Sequence, residues 1–379
     1  MMSKHSKREL VEVIHPRYLK ATKAVKQQIM DEFIAATGYH RKYANRLLKH
    51  GVKPRGYKRS GRSKVYQGEV VKVLEGIWEI CGRICSKRLH PFLPEIVTVL
   101  ERNGEIQTTP EIKHLLLRMS RSSIDRCLQK VRYEKHKGLC TTKPGTLLKK
   151  AIPVRTWHDW DETLPGFLEM DLVAHCGNSA EGQFLYTLTA TDVSTGWTEC
   201  FALPNKTQIE VSKAITRMRN RLPFPLLGID SDNGSEFIND LLYRYCLAEK
   251  ITFTRSRPYR KNDQSHVEQK NWSVVRHTVG YDRLETEAER ILLDEIYADL
   301  RFYVNFFQPV LKLVEKKFVD GKVIKKYDQA ITPYRRVLLS EDVSFEDKAN
   351  LTNLYFQLNP VDLRNRIDIN VGKLWKIVK

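Results

Sequence analysis

Apolar positions recur along the chain with two different periods, and the change of period divides it. Within residues 17–50, Val25, Ile29 and Phe33 fall at i, i+4 and i+8, the spacing of one helical face. Thr37-Gly38 interrupts the pattern, and a second short helix is predicted from about Tyr39 to Lys49, with Ala44, Leu47 and Leu48 on its apolar side. Its other side presents Lys42, Asn45, Arg46 and Lys49 at i, i+3, i+4 and i+7. A helix-turn-helix needs this arrangement, because its second helix buries one stripe and offers donors to phosphates and base edges with the other. An ordinary helical hairpin has the same apolar spacing. Gly51, Pro54, Gly56 and Gly61 among basic residues mark 51–68 as a basic linker. A second helical block is predicted over 69–133. It ends in a similar pair: a helix over about Thr109–Arg118, a turn near Ser120, and a helix begun and capped by Ser122 or Ser123. In that last helix Ile124, Cys127, Leu128 and Val131 are expected to face inward, and Ser123, Arg126 and Lys130 outward. Residues 134–155, Lys-rich and containing Thr141-Thr-Lys-Pro-Gly145, read as a further linker.

From 156 the texture changes to short apolar runs. Phe167–Val173, Phe184–Ala190 and Trp197–Leu203 read as three strands in a meander. A helix over 207–221, a strand Leu226–Asp230, a helix over 236–249 and a strand Ile251–Thr254 follow, and a further helix is predicted from about Asp263, a fair N-cap. Three meandering strands followed by alternating helix and strand imply a five-stranded mixed α/β sheet over 156–285, antiparallel first and parallel later. The region 286–379 opens with a helix containing Ile291, Leu292, Ile296, Leu300 and Tyr303, and Val319-Asp-Gly-Lys322 is suited to turning a small hairpin. The fold class expected is thus multidomain: an α-helical helix-turn-helix region over 1–50 and a second over 69–133, a mixed α/β core, and a mostly helical C-terminal region left to DNA or oligomer contacts.

Charge sharpens this division. The net charge is +19, from 64 Lys+Arg and 45 Asp+Glu. Residues 1–150 hold 33 of the basic and 13 of the acidic residues, a net of +20, leaving 31 basic and 32 acidic for the rest. Between Glu32 and Glu69 there is no acidic residue, while Arg41, Lys42, Arg46, Lys49, Lys53, Arg55, Lys58, Arg59, Arg62 and Lys64 lie there. A basic half joined to a near-neutral half points to a polyanion, most simply double-stranded DNA. No run of eighteen apolar residues suggests a membrane span, and Met1–Arg8 lacks the apolar segment of a signal peptide. The seven cysteines are odd in number, scattered and without a Cys-x-x-Cys pair, which argues against a disulfide framework or zinc site. A reducing compartment fits, the cytoplasm with its nucleoid. Cys81 and Cys85, at helical spacing, read as small core residues.

Three carboxylates carry the candidate chemistry. Asp171 sits inside an apolar strand, where burial costs several kcal/mol without a partner, and no Arg or Lys is close in sequence. Asp232 ends a strand and opens Asp-Asn-Gly-Ser, which alone is also good turn chemistry. Glu268 lies in the following helix, where a lone Glu is usually solvated. The carboxyl ends of parallel strands form the usual crevice for chemistry in open α/β sheets, and a helix over that edge would bring Glu268 to the two aspartates. A set of carboxylates without thiol or imidazole suits Mg²⁺ or Mn²⁺. Two such ions about 4 Å apart activate the attacking oxygen and stabilise the leaving one in phosphoryl displacement.

Asp171 in its strand, Ile229-Asp-Ser-Asp-Asn-Gly-Ser-Glu-Phe237 and Lys261-Asn-Asp-Gln-Ser-His-Val-Glu268 together resemble the catalytic core of the retroviral-integrase superfamily, to which bacterial insertion-sequence transposases belong. Asp232 and Glu268 have 35 residues between them, as that family's last two triad members have, and Asp232 rather than Asp230 directly precedes Asn-Gly. Thr332-Pro-Tyr-Arg-Arg336 resembles a segment that such transposases carry after the core. The family's His-His-Cys-Cys zinc module is missing from the N-terminal region. The resemblance implies an RNase H-like core, a two-metal Asp171–Asp232–Glu268 triad, and a transposase that binds terminal repeats, hydrolyses 3′ ends and joins the 3′-hydroxyl to target DNA. It also implies an assembly of at least two copies. A metal nuclease without strand transfer, or a DNA-binding regulator derived from a transposase, are the rivals. Beside the triad, Arg257, Tyr259, Arg260, Lys261 and Lys270 are expected to grip phosphates. His175 and His266 read as structural, and Glu236 as an acid in the first turn of a helix.

Overall fold

The computed structural model describes residues 2–52, 65–129, 131, 164–232, 234, 236–256, 264–319 and 322–378. They fall into two compact units, 1–65 and 66–379.

The first unit holds three helices, α1 (Lys4–Lys20), α2 (Lys23–Thr37) and α3 (Arg41–His50). Ser3 caps α1, its hydroxyl accepting from the Ser6 amide at 3.1 Å. Gly38 ends α2 in the left-handed region, φ +67°, where a residue without Cβ bears no steric cost. Val11 and Tyr18 from α1, Ile29, Met30 and Phe33 from α2, and Ala44 and Leu48 from α3 form the core. The α2–α3 pair agrees with the apolar pattern except at Val25, which is 40% exposed. Eight residues turn a helix about 80° past two full turns, so the stripe drifts, and Met30 joins Ile29 and Phe33 in place of Val25. Helix α1 was not expected over its full length, because its polar sequence buries just two side chains deeply.

The second unit is built on a sheet of order β3-β2-β1-β4-β5. Its strands are β1 (Phe167–Ala174), β2 (Tyr186–Asp192), β3 (Thr198–Leu203), β4 (Gly228–Ser231) and β5 (Thr252–Arg255). The first three are antiparallel neighbours, while β4 runs parallel to both β1 and β5. The meander therefore precedes the parallel part, as the order of elements predicts. Alternation gives the sheet two unlike faces. Leu168, Met170, Leu188, Ala190, Phe201 and Ile229 line one, all buried. The other carries Glu169, Asp171, Thr187, Thr189, Thr191 and Asp230. On this polar face lie α10 (Ser265–Lys270), whose Val267 amide reaches Glu169, and α12 (Glu287–Phe307), whose Tyr297 hydroxyl lies 2.6 Å from that of Thr187. Helices α8 (Gln208–Arg219) and α9 (Asp240–Ala248) connect the later strands. A π-helical segment, Asn271–Arg276, continues α10 into the short α11 (His277–Val279).

Helices α4 (Glu69–Ile80), α5 (Ser86–Arg102), α6 (Pro110–Leu117) and α7 (Arg121–Leu128) share a continuous hydrophobic core with the sheet and the C-terminal helices. Arg88 donates to the Pro309 carbonyl at 2.6 Å, and Tyr303 to the Ile80 carbonyl at 2.7 Å. Two details of this block differ from the sequence reading. Ser120, not Ser122 or Ser123, caps α7, accepting from the Ser123 amide at 3.2 Å. That bond and the Ser120 hydroxyl draw Ser123 inward to 7% exposure, while Val131, past the end of α7, is 36% exposed. Cys81 is buried, but Cys85, at the N-cap of α5, is exposed rather than core.

After α12, whose start is closed by a Thr286–Glu289 capping box, come a hairpin of β6 (Leu313–Val319) and β7 (Lys322–Tyr327) and helices α13 (Pro333–Leu339), α14 (Phe345–Gln357) and α15 (Pro360–Ile377). Stacked rings of Phe306, Tyr334 and Tyr355, with centroids 4.9 and 4.8 Å apart, tie α12, α13 and α14 together. Among the described residues no helix is long and apolar enough to cross a membrane.

Candidate active site

The parallel register aligns Met170 of β1 with Ser231, the last residue of β4, so Asp171 on β1 and Asp232 just past β4 come next, side by side. Asp171 Oδ2 accepts from Asn271 Nδ2 at 2.6 Å, and its Oδ1 accepts from the Leu172 amide at 2.8 Å. Its carboxyl is nevertheless pushed up to about 7, first by burial and next by the charge of Asp232, with Glu268 adding to it and the two hydrogen bonds opposing. Asp232 Oδ1 accepts from the Gly234 amide at 2.8 Å and closes the turn that the Asp-Asn-Gly sequence predicts. Burial raises the Asp232 carboxyl too, the Gly234 amide opposes this, and beyond them Glu236 raises it and Lys206 lowers it. A Cβ on Gly234 would stand 2.7 Å from Glu236 Cδ and 2.8 Å from Asp232 Oδ1, so a side chain there would push both carboxylates aside. Glu236 lies in this turn and not in a helix, since α9 begins at Asp240 behind an Asn239 cap. Glu268 is exposed on α10 and near enough for its charge to act on Asp171.

An Asp171 carboxylate whose proton affinity is raised by Asp232 and Glu268, with an amide and no thiol or imidazole set beside it, suits a hard divalent cation. Among the described residues no three His, Cys, Asp or Glu groups are already drawn together as a metal cluster.

The other expected site residues separate. Lys42, Arg46 and Lys49 are exposed on α3, with Arg46 stacked 4.9 Å from the Tyr43 ring, whereas Asn45 is half-buried with an enclosed Oδ1. Arg126 is exposed on α7, and Ser123 is not. Lys270 is a correction: it is 8% exposed, and burial, with Arg88 nearby, pulls its ammonium down to about 7. The two residues of helix from Glu268 to Lys270, just over half a turn, rotate it inward, away from phosphates. Lys130, Arg257, Tyr259, Arg260 and Lys261 lie outside the described residues.

Two groups escaped the sequence reading. Glu169, two residues before Asp171, is 1% exposed and accepts from the Val267 amide at 2.7 Å. Burial raises its carboxyl well above the usual range, against the Val267 hydrogen bond and with repulsion from Asp230. Asn271, which holds Asp171, stands at the start of the π-helical segment, three residues after Glu268. An acid inside an apolar strand was a usable signal for Glu169. Nothing marked Asn271.

His175 is 1% exposed and pairs through Nε2 with the Thr187 hydroxyl at 2.7 Å. Burial, then Arg276, lowers it to about 3, so the ring is neutral. In the unfolded chain it takes up a proton below pH 6.5, and in the fold it does not. Stability is therefore expected to fall by about 1 kcal/mol per pH unit as pH drops from about 6.5 towards about 4. Thermal melts of the wild type and His175→Gln across that window check this, the variant showing the smaller slope.

Residues 164–261 match the family of the integrase core domain, a match that ends short of Glu268. The catalytic core domain of BIV integrase aligns with a TM-score of 0.28 and 21% identity, over 46% of this chain and 95% of that one. The uncharacterized protein y4rM of Sinorhizobium fredii (strain NBRC 101917 / NGR234) is 40% identical over 337 residues, 88% of this chain and 96% of its own. With identity sustained along most of both chains, the protein belongs to the family of y4rM, and its residues 164–261 form an integrase core domain.

Proposed function

We propose that the protein is a DNA transposase that cuts the 3′ ends of its element and joins them to target DNA. The observation that supports this reading is the placing of Asp171 and Asp232 side by side at the end of the parallel β1–β4 register, with the charge of Glu268 acting on Asp171, in a region that matches an integrase core domain. Asp171, Asp232 and Glu268 would hold Mg²⁺ or Mn²⁺, which supplies the charge that activates the attacking oxygen and steadies the leaving one. The chain's own part is to keep the carboxylates in place. Asn271 and the Leu172 amide fix Asp171, and the Gly234 amide fixes Asp232. Water attacks in the first step and the freed 3′-hydroxyl in the second, at the same centre and without a covalent protein–DNA intermediate. Two element ends must be held at once, so the active form is an assembly of at least two copies.

The test is strand transfer with purified protein, Mg²⁺ or Mn²⁺, labelled DNA carrying the element's end, and a plasmid target. Joined products support the transposase. Cleavage without joining moves the assignment to a nuclease, and sequence-specific binding without chemistry moves it to a regulator.

End recognition is assigned to α3, whose exposed Lys42, Arg46 and Lys49 form one basic face, with Arg126 on α7 as a second contact. Replacing Lys42 or Lys49 by Ala is expected to weaken binding about equally for all sequences and to lower the salt slope by about 1. Fluorescence anisotropy across a salt series reads it. An unchanged slope in both variants removes α3 from the interface.

A further inference from the structure

Two carboxylates on the same face of β1 do different work. Asp171 belongs to the triad. Glu169 sits one pleat behind it, enclosed, with Oε2 2.7 Å from the Val267 amide and the His266 amide also on its carboxylate. Its register partner on β4, Asp230, is 2% exposed and accepts from the Thr254 hydroxyl at 2.5 Å and from Gln264 Nε2 at 3.5 Å. Gln264, His266 and Val267 are the entry to α10, and the next residue is Glu268. At the far end of the same short helix, Asn271 is tied to Asp171.

The α10 segment opens a helical run that passes through the π-helical turn to Val279, and its first amides need acceptors. A Ser, Thr or Asp at the N-cap satisfies such amides locally and cheaply. Here the N-cap is Gln264, whose side chain makes no capping bond, and a carboxylate is buried at considerable cost instead. A local cap would fix α10 only to its own loop. An acceptor on β1 fixes it to the strand that carries Asp171, and so sets the distance between the first and last members of the triad.

We propose that Glu169 is a positioning residue, whose reach from β1 to the Val267 amide places Glu268 against Asp171. The proposal rests on the strand-joining function above. The test separates reach from charge. Glu169→Gln keeps the length and an acceptor oxygen, whereas Glu169→Asp keeps the charge and withdraws the acceptor by about one carbon–carbon bond. Joining by the Asp variant is expected to lose about 10²-fold in kcat, the scale of a misplaced reacting group, with the Kd for element-end DNA unchanged. The Gln variant should stay within about fivefold of wild type. Hydrogen exchange of the segment 264–270 should quicken in the Asp variant and not in the Gln variant. An active Asp variant beside an inactive Gln variant overturns the proposal, as does a parallel loss of DNA affinity and kcat. If the wild type itself joins no DNA, the function above fails, and the exchange of 264–270 still decides whether Glu169 holds the helix.

Discussion

Asp171→Asn and Asp232→Asn are each expected to abolish strand joining, by about 10³-fold or more, in proteins that remain folded. The magnitude follows from the chemistry. A divalent ion loses one of its charged ligands, and about 4 kcal/mol less transition-state stabilisation is a thousandfold in rate. The folded state should survive for reasons visible in the hydrogen bonds. In Asp232→Asn the side-chain oxygen that remains can still accept from the Gly234 amide. In Asp171→Asn the remaining oxygen can accept from the Leu172 amide, and Asn271, whose Oδ1 is buried without a hydrogen-bond partner, can flip to accept from the new side-chain amide. The substitution at Asp171 also removes a charge that burial and Asp232 already disfavour, so Tm without metal should be unchanged or higher. Joining assays and thermal melts on the same preparations check both halves. Joining at about a tenth of the wild-type rate or better in either variant would take that carboxylate out of the triad.

Gly166→Ala is expected to cost about 3–5 kcal/mol and to leave little folded protein. Gly166 enters β1 with φ +120°, outside the regions open to other residues. A Cβ there would lie 2.4 Å from the Pro225 carbonyl oxygen and 2.8 Å from Leu227 Cγ, and the first of these is backbone that cannot swing aside. The residue also joins three strands: its amide donates to Asp192 Oδ1, and its carbonyl accepts from the Leu227 and Gly228 amides. Gly38→Ala serves as the internal control. Its φ is +67° but nothing lies within 4 Å of the added carbon, so about 1 kcal/mol is expected. Urea unfolding of the two variants measures the contrast, and equal midpoints would show that conformation matters there and crowding does not.

The sheet was legible in the sequence, and the aspartates expected at its edge could be named, because both leave local traces. Strand and helix periods alternate from 167 to 255, and Asp232 announces itself in an Asp-Asn-Gly turn. What holds the triad was not legible, since it depends on pairs far apart in the chain. The partner of Glu169 is an amide 98 residues away, and that of Asn271 is a carboxylate 100 residues away. Lys270 misled for the opposite reason. Its neighbourhood in sequence suggested phosphates, but its helical phase turns it toward the interior beside Arg88. Ser123 misled because three serines stand close together, and the one that caps α7 is Ser120, one turn before it.

The α4–α7 block leans on residues synthesised far later. Glu95 waits for the Tyr355 hydroxyl 260 positions on, and Arg88 for a carbonyl 221 positions on. In the first unit His15 waits for the Leu48 carbonyl across just 33 positions. At the usual rates of translation the second unit stays open for roughly a quarter of a minute to a minute after α5 is made, and the first closes within several seconds. The apolar stripes of α4 and α5 are uncovered during that interval and are the natural client of a holding chaperone. A chain cut short before α12 has its three-helix unit and all five strands of the sheet, but lacks the helix that packs on the polar face of that sheet.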